Sequence, residues 1–368
     1  MRVVHLLASL RPSGMERMLV SAAPYFAEAG VESVVVGQGL DHPFAEELGD
    51  AGYRVRTIPW VKSTDGLRAW MRLIREERPH VVHIHTEGAF ALSVLAARRA
   101  APDARIVRTL HSFFLAEGWW GVKRRAQAMA SDRFVDAFVA LGEEMARHEA
   151  SFGRECVVIP NWVADRFLEV DPGGRSKDVD IALVGSCAEV KRHDIVLGEA
   201  LANGWTVAHL GHEGEMQAKE REQLAALASA GLLRQRGVAD PLRWLLRSHV
   251  YAMPSEREGF PVALAEAISL GAVCVVASAP GFDWAMEYPL VFVPKSEDGF
   301  EWGPTLKSAL DLAHAPGTPA LADAQRDRAR AHLAARIGAE KYVGLYRGDS
   351  AVGQPTEPAS EFPEAVSD

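Results

Sequence analysis

Residues 254–278 read PSEREGFPVALAEAISLGAVCVVAS, and the order of signals in that stretch decides the fold. Pro261 suits the first position of a helix, where its missing N–H leaves no bond unmade, and Gly271 suits the stop after VALAEAISL. Directly behind the stop comes AVCVVAS, a short β-branched run of the kind that forms a strand. A helix that delivers the chain into a fully apolar strand is one unit of parallel α/β winding.

The same alternation runs outward in both directions. Upstream, RVVHLLAS, VESVVVG, RVRTIPW, HVVHIHT, ARIVRTL, FVDAFVAL and CVVIP read as strands, with helical patterns such as Met15 to Ala29 and Leu67 to Glu77 between them. The periodicity breaks at VDPGGRSKDVD, where Pro172, Gly173 and Gly174 stand among charges, and this is the best linker in the chain. Beyond it DIALVGS, WTVAHLG, LLRQRG, HVYAMP, AVCVVAS and LVFVP are strands, with helices expected at Asp194 to Ala202, Glu215 to Ala230 and Pro261 to Leu270. The expected architecture is therefore α/β: two Rossmann-like, doubly wound domains that face each other across a cleft. Domain 1–170 precedes domain 171–320, a last helix at about Leu321 to Tyr346 (segment 321–347) packs back on the first domain, and 348–368 forms a disordered acidic tail. Ligands of open parallel sheets sit beyond the carboxyl ends of the strands, which makes the cleft the default site.

Composition narrows the partners. A net charge of -9 over 368 residues argues against a protein that coats nucleic acid. Cys156, Cys187 and Cys274 are far apart and odd in number, so their spacing predicts neither a disulfide framework nor a zinc site, and a reducing cytoplasm fits. No apolar run approaches the roughly 18 residues of a spanning helix, and the N-terminal MRVVHLLAS reads as a first strand.

Glu258 and Glu266 flank the start of the helix with which we began. Spacing alone leaves two readings open. Glu258 can be a carboxylate favoured by the helix dipole and Glu266 a surface residue. Alternatively, backbone N–H groups around Gly259 and Phe260 hold phosphate while the two carboxylates accept hydrogen bonds from sugar hydroxyls, each contributing about 1.5–3 kcal/mol.

The stretch also resembles the signature of family 4 of the retaining, sugar-nucleotide-dependent glycosyltransferases of GT-B architecture. The resemblance spans nearly the whole chain and appears in order: GMER after the first strand, TLHSF, VIPNWV, VGSCAEVKRHD, the paired glutamates and a closing EKYVGLY. It implies that Glu258 contacts hydroxyls of the transferred sugar and that Glu266 holds the ribose. Gly14 in PSGMER matches a glycine whose backbone reaches the donor, although Ser13 stands where the family usually has a second glycine. Gly185 opens the next motif and Lys191 matches the lysine that binds the diphosphate. Ser186 replaces the commonest arginine, with Arg192 placed to compensate. His111 matches a histidine at the reaction centre, and Asn161 matches a linker asparagine followed here by Trp162 instead of glycine, which reads as structural.

The resemblance further implies hexosyl transfer without a metal or other cofactor, from a UDP-, GDP- or ADP-sugar. Asp178 and Asp180 form an Asp-x-Asp pattern at the wrong end of a strand for a ligand site and read as solvated charge. The resemblance leaves the acceptor open among lipids, saccharides and small metabolites, and the candidate residues are His85 in HVVHIHT together with Trp119 and Trp120, whose aromatic run precedes Lys123, Arg124 and Arg125. Aromatics beside a basic cluster bind a lipid acceptor or rest on the inner face of an anionic membrane, or else simply fill the core. Rival expectations are an inactive relative that binds a sugar nucleotide or a partner protein, a sugar-nucleotide epimerase of the same architecture, and a dehydrogenase using Gly37 and Gly39, whose glycine pattern is incomplete.

Overall fold

The computed structural model describes residues 1–113, 118–173, 176–294 and 301–349, with backbone alone for 120–124, 126 and 127. Thirteen strands form two sheets among these residues, parallel in every pairing. The first sheet holds β1 (Arg2–Leu6), β2 (Glu32–Gln38), β3 (Arg54–Ile58), β4 (Val81–Ile84), β5 (Arg105–Thr109), β6 (Ala137–Ala140) and β7 (Cys156–Val158) in the order β3-β2-β1-β4-β5-β6-β7. The second holds β8 (Val179–Val184), β9 (Val207–Leu210), β10 (Leu233–Gly237), β11 (Ser248–Met253), β12 (Val273–Val276) and β13 (Val291–Phe292) in the order β10-β9-β8-β11-β12-β13. The inner strands were legible as apolar runs because helices cover both faces of a parallel sheet, and Val34, Val35 and Val36 are completely buried, whereas the edge strands β3 and β10 keep exposed polar residues.

In both sheets the order reverses beside the first strand, and loops at that switch point form the natural ligand crevice. The halves share a core around the cleft, where Leu110, Leu141 and Phe167 cluster with Met253, Phe260 and Leu264.

The final helix differs from the single span expected at 321–346. It is two helices, Thr318–His332 and Ala335–Arg347, broken at Leu333–Ala334. Neither residue is a helix breaker. The break is imposed by tertiary pairing: Val163 N donates to Leu333 O at 2.9 Å, and Val163 bridges Ala334. Helix 318–332 stays on the second half, where buried Gln325 accepts from Leu290 N and donates to Ala272 O. Helix 335–347 crosses to the first half, with Arg336 paired to Glu28 and the Tyr346 hydroxyl 2.7 Å from His83 Nδ1.

Trp162 secures that crossing. Its Nε1 donates to Met18 O and Ser21 Oγ, and a Cβ on Gly338 would fall 1.9 Å from its ring, so helix 335–347 docks only through glycine. Of the tail 348–368, for which disorder was expected, Gly348 caps helix 335–347 and Asp349 N donates to Gly344 O, and 350–368 lie outside the described residues. No described helix is long and apolar enough to cross a membrane.

Candidate active site

The charged wall of the cleft is built by two loops of the second half. After β8, Gly185 N donates to Leu210 O and Cys187 N to His212 O, which stitches the turn onto the end of β9. The turn closes through Lys191 into Arg192, whose φ of 49° is left-handed, an uncommon state for a residue with a Cβ. Glu256 N donates to Val190 O at 2.9 Å, so this loop and the loop after β11 are tied backbone to backbone. That tie sets Lys191 Nζ 2.7 Å from Glu258 Oε1, an ion pair of two largely covered side chains. Ser186 is exposed, and Arg192 reaches only a loose pair with Glu256 at 4.0 Å.

Helix Val262–Ser269 begins at the same place. Pro261 is its N-cap and not its first residue, one position earlier than expected. The amides of Gly259 and Phe260 donate to no protein group among the described residues, and they stand at the positive end of this helix. The Phe260 ring is core: it stacks on Trp284 with centroids 4.5 Å apart. The ring is therefore occupied in packing, and only the Phe260 backbone N–H is left unpaired among the described residues. Glu266, one turn in, is 6% exposed and makes no hydrogen bond or ion pair among the described residues. Burial pushes its carboxyl up to about 7, against the pull of Arg17 and Arg166.

The facing wall starts at the loop after β1. Ser13 caps helix Gly14–Glu28, accepting from Met15 N and donating to the buried Glu16 carboxylate. Ser and Glu three apart form a capping box, so the serine that replaces a family glycine braces this loop. Gly14 follows it, and a Cβ there would lie 3.2 Å from Val262 Cγ2 of the opposite half. A Cβ on Gly259 would lie 1.9 Å from the carbonyl oxygen of His111. Each half thus contributes one glycine where the walls meet.

Behind His111 runs a buried line of imidazoles. His111 Nε2 pairs with His85 Nδ1 at 3.1 Å, and His85 Nε2 with His5 Nδ1 at 3.2 Å. Burial pushes His111 down to about 4 and His85 well below the usual imidazole value, so these rings are neutral. His85 is 2% exposed, which corrects its expected place with the acceptor: it lies behind His111 and reaches the cleft only through it. Glu87, beside His111, was not singled out in the sequence. Its Oε1 accepts from His111 N and its Oε2 from buried Arg108. Arg17, facing Glu266 across the cleft, was visible only as part of GMER.

The remaining candidates fall outside this cluster. Trp119 is 76% exposed on helix Gly118–Ser131, and the side chain of Trp120 lies outside the described residues. Asp178 pairs with Arg247 and Asp180 accepts from Thr206, at the strand end away from the cleft. Asn161 is buried beside Trp162, in keeping with a structural part.

Two Rossmann-like sheets that meet at a cleft, with the ligand groups at the strand ends of both, define the GT-B class of glycosyltransferases. Comparisons with known proteins agree. Residues 12–166 match the family described as Glycosyltransferase Family 4, and residues 178–300 match Glycosyl transferases group 1. The chain is 26% identical over 319 residues to the "Putative glycosyltransferase EpsF" of Bacillus subtilis strain 168, covering 76% of this chain and 79% of that one. Among solved structures it is similar to a glycosyltransferase from Rickettsia africae ESF-5, with a TM-score of 0.79 at 14% identity over 94% of this chain and 98% of that one. It is likewise similar to Anabaena Alr3699/HepE in complex with UDP and glucose, with a TM-score of 0.79 at 17% identity over 95% and 100% of the two chains. The chain is a family-4-like glycosyltransferase of GT-B fold.

Proposed function

We propose that this glycosyltransferase moves a hexosyl group from a UDP-sugar to its acceptor with retention of anomeric configuration, and that the transfer step uses no metal. The observation that carries the reading is the cluster on the second half. Lys191 is paired to Glu258, two free amides point from a helix N-terminus, and a buried, unpartnered carboxylate lies one turn further on. Each feature answers a part of one ligand. Lys191 and Arg192 offset the charge that grows on the departing diphosphate. The amides of Gly259 and Phe260 take phosphate oxygens. Glu258 accepts from sugar hydroxyls and Glu266 from the ribose. The choice of UDP follows the Anabaena relative, whose structure holds that nucleotide.

Retention is favoured by the resemblance and by the state of the facing wall. Glu87, the carboxylate beside His111, is already held by the His111 amide and Arg108, so it is not poised as a nucleophile. Attack by the acceptor on the face that the diphosphate leaves requires only positioning and charge stabilisation. A neutral His111 accepts or donates one hydrogen bond there without adding charge. Trp119, exposed on helix Gly118–Ser131 although outside this cluster, is the feature that supports an apolar or lipid acceptor. Incubation with UDP-sugars and a panel of lipid and saccharide acceptors, with the anomeric configuration of the first product read by NMR, tests the proposal. An α-linked product from an α-linked donor is expected. Inversion of configuration refutes retention, and nucleotide binding without turnover on any acceptor favours the inactive-relative reading.

A further inference from the structure

Four residues from four separate elements converge directly beneath the Gly185–Arg192 loop. Cys187 lies in the loop after β8, His193 opens helix His193–Asn203, His209 belongs to β9 and Glu220 to helix Ala218–Ser229. Their exposures are 1%, 4%, 0% and 4%. One ligand atom from each lies within 4.8 Å of all the others. His193 Nδ1, His209 Nε2 and Glu220 Oε1 form a triangle with sides of 3.1, 3.1 and 3.0 Å, and Cys187 Sγ stands 3.9 Å from His209 Nε2.

Hydrogen bonds do not satisfy that triangle. A neutral imidazole carries one proton, and if both rings donate to Glu220, their nitrogens are left in contact with no proton between them. His209 Nε2 meets sulfur, nitrogen and oxygen at once, while its Nδ1 is buried with no hydrogen-bond partner among the described residues. A tetrahedral zinc ion with bonds of about 2.0–2.1 Å to N or O and about 2.3 Å to S separates its ligand atoms by roughly 3.3–3.6 Å, so binding needs the nitrogens and oxygen, now 3.0–3.1 Å apart, to part slightly and the sulfur, now 3.9 Å from His209 Nε2, to close in. Charge balances too: thiolate and carboxylate offset a divalent cation, so a buried site ends neutral.

We infer that Cys187, His193, His209 and Glu220 bind one zinc ion that holds the diphosphate-binding loop in shape. The loop position gives the ion its purpose. A Cβ on Gly185 would touch Lys191 Cε and His193 Nε2 alike at 3.7 Å, so the cluster abuts the turn that presents Lys191. The ion is structural and leaves the transfer step to the cleft residues. The other close histidine group, His5, His83 and His85, lacks this character. Tyr346 and Thr109 take both nitrogens of His83, and His85 is hydrogen bonded on both sides.

The full-length protein, loaded with excess zinc and dialysed, is expected to retain one equivalent per chain by mass spectrometry of the metal. The cobalt-substituted protein is expected to show the intense visible bands of a tetrahedral site and a thiolate charge-transfer band. Cys187→Ser is expected to abolish the charge-transfer band and weaken zinc binding at least tenfold, whereas Cys274→Ser leaves both intact. Retention of well under one equivalent by the unmodified protein, or a cobalt spectrum without thiolate character, overturns the inference without relying on any variant. So does loss of the metal on His83→Gln in a chain that still shows its native far-ultraviolet dichroism.

Discussion

The two sheets wind alike, with six strands in the order third-second-first-fourth-fifth-sixth in each, yet they present different chemistry to the cleft. Apart from Arg17, the first half offers groups without free charge: imidazoles made neutral by burial and a carboxylate already engaged by Arg108 and a backbone amide. The second half offers charge in reserve, with a largely covered pair at Lys191 and Glu258 and a lone carboxylate at Glu266. One topology therefore supports two roles, because the loops at the strand ends carry the function and the sheets only position it. The charged wall suits a nucleoside diphosphate, and the neutral wall suits a hydroxyl nucleophile that must not be repelled.

The largest expected effect comes from removing the cation. Lys191→Ala is expected to lower the transfer rate by roughly 10²–10³-fold in steady-state assays, the range for deleting one group that stabilises developing charge. A loss below about tenfold would shift that part to Arg192. Next, Glu266→Ala is expected to weaken UDP binding about 10- to 100-fold, from a charge-assisted hydrogen bond of about 1.5–3 kcal/mol. Glu258→Ala is expected to leave UDP affinity within a few-fold and to cut turnover instead, as measured by titration and rate together. Equal UDP affinity for the parent, Glu258→Ala and Glu266→Ala would remove Glu266 from the nucleotide site. Smaller is the effect of Gly259→Ala, whose methyl meets a backbone oxygen and cannot be accommodated by a rotamer change. A destabilisation of about 1–3 kcal/mol in chemical denaturation is expected.

The smallest effect is a pH dependence with two opposite signs. The folded Glu266 carboxyl, raised to about 7 from 4.5, holds its proton more tightly than the unfolded chain does. Its contribution to stability is complete below about 4.5 and is lost as pH rises through about 7. UDP affinity moves the other way, because the ionised carboxylate is the better hydrogen-bond acceptor. Calorimetric Kd values are expected to tighten between about pH 6 and pH 8 in the parent and to stay flat in Glu266→Gln.

The inner strands were legible because parallel sheets bury both faces and their apolar runs are continuous. The donor residues were legible because Lys191, Glu258 and Glu266 sit in short motifs whose order along the chain is informative. What escaped depends on contacts far apart in sequence. The break at Leu333–Ala334 arises from Val163, and the burial of His85 arises from β1 and the loop after β5 on either side. The Cys187 cluster escaped for the same reason: its four members come from four elements, and no pair of cysteines announces them. Ser13 looked like a missing glycine, and the structure shows it as half of a capping box.

The most direct measurement is calorimetric titration of UDP into the parent, Glu266→Ala and His111→Ala proteins at one pH. The account predicts that UDP binds the parent, that Glu266→Ala weakens it by at least tenfold, and that His111→Ala leaves the Kd within a few-fold. Binding lost on His111→Ala and preserved on Glu266→Ala would place the nucleotide on the wrong wall and contradict the account.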